Sequence, residues 1–124
     1  MKTLEICVFN MTNDKLAQAI LEAFERGVKV RIITDDEKCE DKGSDVYRLW
    51  EAGIEVKTDS SHDHMHNKFA IIDNAIILTG SYNWTVSASN KNQENILILE
   101  SKTIVNSYSN EFNKLWGQFK SISN

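Results

Sequence analysis

His66 and Lys68 are the residues whose types and spacing first suggest chemistry. On a strand, positions two apart face the same way with Cα atoms about 7 Å apart, so one phosphate can touch both. Displacement at phosphorus needs a nucleophile on one side, a proton donor to the leaving oxygen on the other, and donors on the remaining oxygens. A neutral imidazole is a competent nucleophile. The Lys68 ammonium, the Ser81 hydroxyl and the Asn83 amide would supply the oxygen contacts, replacing the charge stabilisation a metal ion could give. No cofactor and no metal are therefore expected. One imidazole cannot attack and also protonate the leaving group on opposite sides of one phosphorus in one step. Because this arrangement occurs once in the sequence, the expected partner is a second copy of the chain in an isologous homodimer.

These residues and others nearby in the sequence admit further chemistry. His62, His64 and His66 alternate and could place three imidazoles on one strand face as a zinc site. The hydrolase pattern H-x-H-x-D-H is broken, however, because His66 follows Met65 directly. His64 is expected to line the cleft instead. Trp50, Trp84 and Trp116 are expected to pack in the core or an interface, with base stacking by Trp84 the alternative. The glycosylation patterns at Asn10 and Asn83 are short enough to arise by chance, and a sugar at Asn83 would block the site.

The elements that must position these groups are legible from periodicity. Leu4 to Phe9 is a β-prone run, and Leu16, Ala19, Ile20, Ala23 and Phe24 recur at helical spacing up to a stop at Gly27. Val28 to Thr34 reads as a second strand. A charged loop follows from Asp35 to Gly43, then an amphipathic helix from Asp45 to Ala52 that Gly53 ends. Further strands are predicted over Ile54 to Lys57, Asn67 to Asp73, Ala75 to Thr79 and Asn95 to Leu99. The last helix is capped by Ser101, with Ile104, Val105, Tyr108, Phe112, Leu115, Trp116 and Phe119 on one face. Alternation giving way to consecutive strands predicts an α/β fold, a mixed β-sheet with helices packed on its faces. Asp73 lies an odd number of residues from His66 and Lys68, so it is expected to point away from them and to serve as a structural hydrogen-bonding residue at the strand end.

His66, Lys68, Asp73, Gly80, Ser81 and Asn83 together fit H-x-K-x4-D-x6-G-S-x-N. This pattern resembles the signature of the phospholipase D superfamily, in its single-motif group of bacterial endonucleases and mitochondrial cardiolipin hydrolases. The resemblance extends to Ile6-Cys7-Val8-Phe9, Arg26-Gly27-Val28-Lys29-Val30, Asp41 to Val46 and Gln93-Glu94-Asn95. It implies that His66 becomes phosphorylated while the partner's His66 protonates the leaving group and then activates water. It also places Glu94 beside His66, where a carboxylate would orient the imidazole through its second nitrogen. Asp73 and Gly80 complete the motif as structural residues. The resemblance further implies a strand and helix ahead of Leu4, and in mitochondrial relatives an upstream membrane anchor, neither of which this sequence carries. Mitochondrial relatives also tend to have His where Asn67 stands, a position that faces away from Lys68.

Length and composition bound the rest. A chain of 124 residues, 41% hydrophobic and 26% charged, suits a single domain over residues 1–124. No run approaches the roughly 20 apolar residues of a membrane span. Cys7 in an apolar run and Cys39 in a charged loop read as reduced thiols, which predicts a cytoplasmic location, or the mitochondrial surface if an anchor has been removed. A formal charge of −4 argues against broad adhesion to nucleic acid or anionic lipid but permits a local basic cleft. The substrate expected is nucleic acid, single-stranded for preference, cleaved by an endonuclease. The alternatives are a phospholipid of the cardiolipin type, which would require an exposed apolar rim beside the cleft, and a catalytically silent nucleic-acid-binding module.

Overall fold

The computed structural model describes residues 1–9, 11, 14–35, 45–58, 67–80 and 96–122. Its elements, in chain order, are β1 (Thr3–Val8), α1 (Asp14–Glu25), β2 (Lys29–Thr34), α2 (Val46–Glu51), β3 (Glu55–Thr58), β4 (Lys68–Ile72), β5 (Ile76–Gly80), β6 (Ile96–Leu99), α3 (Lys102–Gln118) and β7 (Lys120–Ser121). The strands form one sheet in the order β6-β5-β4-β1-β2-β3-β7. β1, β2 and β3 are parallel neighbours, whereas β4, β5 and β6 extend the sheet antiparallel from the other edge of β1. The expected mixed sheet is therefore present. β1 is its hinge between two pairing modes.

Side-chain alternation along β1 divides the core. Leu4, Ile6 and Val8 face α1 and α2 and pack with Val30, Ile32, Ile20, Leu49 and Ala70. Cys7 belongs to the opposite face, where α3 covers Ile33, Phe69, Ile71 and Ile77 with Val105 and Phe112. The parallel links between β1, β2 and β3 carry α1 and α2 on one face, and α3 closes the other, so the chain forms three layers. Ser101 accepts the Ile104 amide at 3.4 Å and caps α3 as its sequence suggests. Ile104 itself is exposed, so the apolar stripe of α3 begins at Val105. On α1 the buried stripe runs through Ala17, Ile20 and Ala23, leaving Ala19 exposed. Ile20 and Ala23 lie on the predicted face with Phe24 packed beside them, and Ala17 rather than Ala19 extends it.

α3 is tied to the parallel half of the sheet by charge as well as by packing. Arg31 pairs with the buried Glu5. Its guanidinium lies 5.0 Å from the Phe112 ring centroid and 5.2 Å from that of Trp116. Lys57 donates to the Trp116 carbonyl at 2.6 Å and sits 4.6 Å from the indole centroid. Such contacts combine ring quadrupole attraction with stem burial, so Trp116 packs as a structural aromatic. Trp50 lies against the other core. The short β7 has no sequence signal of its own. It pairs Lys57 with Ser121 and Thr58 with Lys120, and brings Ile122 into the core.

The β4–β5 hairpin turns on Asp73 and Asn74, with φ of 53° and 54°, and Ala75 donates back to Ile72 at 3.0 Å. Positive φ at both central residues is the type I′ geometry that suits strand twist, and Asp and Asn tolerate it best after glycine. Asp73 is thus a turn residue rather than the last residue of its strand. Parity is not what separates it from Lys68. The separation is distance, five residues of strand or roughly 17 Å. Its Oδ1 accepts the backbone amides of Lys2 at 2.5 Å and Thr3 at 2.9 Å. Its own amide donates to the Thr3 carbonyl.

Those two amides, first Thr3 and then Lys2, hold the Asp73 carboxyl below its ordinary value of 3.8. A depressed folded value stabilises the fold above the unfolded value and loses that contribution as pH falls through the folded one. Asp73→Asn keeps the turn conformation but removes the charge. Its melting temperature is expected to lie below wild type at pH 7, with the gap narrowing at pH 3. Thermal denaturation at the two pH values checks this, and an equal gap at both would mean that the charge contributes nothing.

Candidate functional site

Val8 pairs with Lys68 across the antiparallel β1–β4 contact. Since β1 and β2 are parallel, Lys68 therefore stands at the carboxyl ends of the parallel strands, where open α/β sheets place their ligands. The neighbouring strand ends gather there too: Thr34 and Asp35, both buried, close β2, and Gly80 ends β5 opposite the start of β6 at Ile96. Gly80 has a φ of 151°. A residue with a Cβ rarely adopts that backbone, which accounts for glycine at this motif position.

Lys68 is half-buried and shares its side of β4 with Ala70 and Ile72. Its carbonyl accepts the Thr79 hydroxyl at 3.4 Å, and its Nζ lies 5.8 Å from the centroid of the Phe9 ring. Phe9 is held in turn through its carbonyl, which accepts from Thr34 Oγ1 at 3.4 Å. His66, Ser81, Asn83 and Glu94 lie outside the described residues, as do His62, His64, Trp84 and Cys39. Their described chain neighbours Asn67, Gly80 and Ile96 stand at the Lys68 end of the sheet. Asp73 stands at the opposite end. Among the described residues no group of three His, Cys, Asp or Glu side chains is placed to hold a metal ion.

Two features of this end have no obvious sequence signal. One is the Phe9 ring beside Lys68, since neither spacing nor periodicity pairs residues from different strands. The other is Asp45, which is buried just ahead of α2. Its amide donates to the carbonyl of the buried Met11 at 3.1 Å, yet its Oδ2 has no hydrogen-bond partner. Burial pushes its carboxyl up to about 6, and Asp14 at the start of α1 adds to the shift, while Arg48 at 3.8 Å opposes it. Arg48 is partly engaged elsewhere, donating to Gln18 at 2.5 Å. At the sheet centre, burial and then Glu111 push the Cys7 thiol far above its ordinary value, which suits an inert core thiol.

Residues 1–116 match the family described as "Cardiolipin synthase, PLD-like domain". The chain belongs to the phospholipase D superfamily. The mitochondrial cardiolipin hydrolase of Chlamydomonas reinhardtii is 44% identical over 119 residues, which cover 96% of this chain and 53% of that protein. The Xenopus tropicalis protein of the same name is also 44% identical, over 98% of this chain and 58% of its own length. The chain thus spans little more than half of these relatives. The crystal structure of Nuc from Salmonella typhimurium, a phospholipase D family member, superposes with a TM-score of 0.91 at 27% identity, covering 99% of this chain and 83% of that one. Superfamily membership and a phospholipase D-like mixed sheet thus agree with the reading from sequence. Among the described residues no helix is long and apolar enough to cross a membrane.

The raised Asp45 carboxyl carries a stability consequence. Between its ordinary 3.8 and about 6 the folded chain holds a proton that the unfolded chain has released. Stability therefore falls as pH rises through that window and levels off above it. Asp45→Asn is expected to be more stable than wild type at pH 7.5, by roughly 1 kcal/mol, and no more stable at pH 4. Urea denaturation at both pH values measures this, and a destabilised variant at pH 7.5 would show that the Arg48 contact outweighs burial.

Proposed function

We propose that this chain is a phosphodiesterase that works without a metal ion, with His66 as nucleophile. The observation that carries the reading is the position of Lys68, at the carboxyl ends of the parallel strands and at the end of the sheet where Asn67, Gly80 and Ile96 also stand. In the first step the His66 imidazole attacks phosphorus, the P–O bond to the leaving group breaks, and the leaving oxygen takes a proton from His66 of the partner subunit. In the second, that imidazole takes a proton from water, whose oxygen attacks phosphorus, and the N–P bond breaks to release a phosphomonoester. Lys68, Ser81 and Asn83 stabilise charge on the oxygens that do not leave, and Glu94 orients His66. Asp73 and Gly80 act on the backbone only. Covalent catalysis of this kind needs both imidazoles, hence the homodimer.

The substrate proposed is single-stranded nucleic acid, cleaved endonucleolytically, which the motif's resemblance to bacterial endonucleases supports. A second reading, a phospholipid of the cardiolipin type, is favoured by two observations. The relatives that are 44% identical are named cardiolipin hydrolases. The edge strand β6 exposes Leu97 at 58% and Ile98 at 68%, two strands from Lys68, as an apolar rim would require. The location follows the substrate: cytoplasmic for the first, the mitochondrial surface for the second, which the relatives' names also support.

Incubating the chain with single-stranded nucleic acid and with cardiolipin vesicles, both in excess chelator, decides between these. Cleavage of nucleic acid in chelator is expected. Hydrolysis of cardiolipin alone would shift the substrate to the second reading, and activity that disappears in chelator and returns with zinc or magnesium would sink metal-free catalysis. Lys68→Ala is expected to lower kcat by about 100-fold or more with little change in KM, because its charge is aimed at oxygens whose charge shifts in the transition state. Near-normal turnover would make Lys68 a solvated surface charge.

Dimer dependence has its own test. Wild-type and His66→Ala chains are mixed in equal amounts and allowed to exchange, which differently tagged copies verify. If each site needs both imidazoles, about a quarter of the activity remains, against about half for a site complete within one chain. The latter result would point to His64 as the second proton donor.

A further inference from the structure

We infer that Phe9 is a positioning residue for Lys68, its ring face holding the ammonium over the end of the sheet where the phosphate is attacked. The inference rests on the catalytic reading of Lys68 proposed above and concerns how that lysine is kept in place. A lysine side chain has four rotatable bonds, so an ammonium fixed only at its backbone samples many positions that cannot touch a phosphate. Here the backbone is fixed from both sides. β1 pairs Val8 with Lys68, and the Thr79 hydroxyl of β5 donates to the Lys68 carbonyl. The far end of the side chain then lies 5.8 Å from the Phe9 centroid, inside the roughly 6 Å over which a cation and a ring quadrupole attract. The ring is itself anchored, since Phe9 follows the last residue of β1 and its carbonyl accepts from the buried Thr34 at the end of β2. Three strands thus meet on one side chain: β2 holds Phe9, β1 presents it, and β4 supplies the lysine. A ring face suits this task better than a carboxylate. It attracts the ammonium without adding a negative charge of its own beside the phosphate.

The test varies the ring's electrostatics at constant shape. Phe9 is replaced by mono-, di- and trifluorophenylalanine in the full chain, and hydrolysis of bis(p-nitrophenyl) phosphate is followed. Fluorine withdraws charge from the ring face while leaving its volume nearly unchanged, so kcat is expected to fall stepwise, reaching about 10-fold at three fluorines, with KM and melting temperature close to wild type. Phe9→Trp should retain activity and Phe9→Leu should resemble the trifluoro form. In a Lys68→Ala background, fluorination should change nothing further. A flat series at position 9 alongside a severe Lys68→Ala defect would overturn the positioning role and leave the catalytic reading intact, because a ring that only fills space is indifferent to fluorine. Unimpaired turnover by Lys68→Ala, or a wild-type chain inactive on this ester and on both substrates above, would instead remove the reading on which the inference rests.

Discussion

The register of β4 against β1 is the constraint on which the rest of this structure depends. Side chains alternate along a strand, so a slip of one residue would turn Lys68 from the α1 and α2 side to the α3 side and drive Phe69 and Ile71 into the α1 and α2 core in exchange. Both ends of the pairing are therefore secured, by different chemistry. At one end Val8 meets Lys68. At the other, the Asp73 carboxylate grips two amides at the start of β1, a connection that allows only one alignment. The lysine and the aspartate of one motif thus stand at opposite ends of the same pairing, the first where the parallel strands end and the second holding the register.

Much of this was legible in the residues, because burial and periodicity are local. Each predicted strand and helix is present, and the stops at Gly27 and Gly53 and the cap at Ser101 rest on chemistry within a few residues. What was illegible needs information from another strand. β7 exists because β3 offers an open edge, and two residues carry no periodicity. That Ala17 rather than Ala19 meets the sheet depends on how α1 docks. The unpaired oxygen of Asp45 depends on how α1 and α2 converge, and an aspartate before a helix otherwise reads as an ordinary cap. The lysine of the proposed site was identifiable from spacing. The phenylalanine beside it was not.

The two faces of the sheet solve different problems. Among the described residues, the fully buried core toward α1 and α2 is aliphatic apart from Met11, with Phe24, Tyr47 and Trp50 packed against it, and the buried Thr34, Asp35 and Asp45 lie at the end of β2 and just ahead of α2. Toward α3 the aromatic cluster of Phe69, Tyr108, Phe112 and Trp116 is bounded by Arg31 and Lys57, whose stems and charges seal the helix against the parallel strands. Rigid packing on both sides leaves the strand ends as the place where function can be built without rebuilding the core.

The antiparallel wing also dictates an order of assembly. β1 leaves the ribosome ahead of β2 and β3, and its inner neighbour β4 is synthesised only after both have emerged; the clasp between Lys2 and Asp73 spans 71 positions. Contacts of such separation form late, once loop closure has been offset by local gains. The nascent chain can thus collapse as β1, α1, β2, α2 and β3 while the other edge of β1 remains open. That edge is a template for any passing strand until the β4–β5 hairpin docks, which makes hairpin docking the step most exposed to competition from a neighbouring chain.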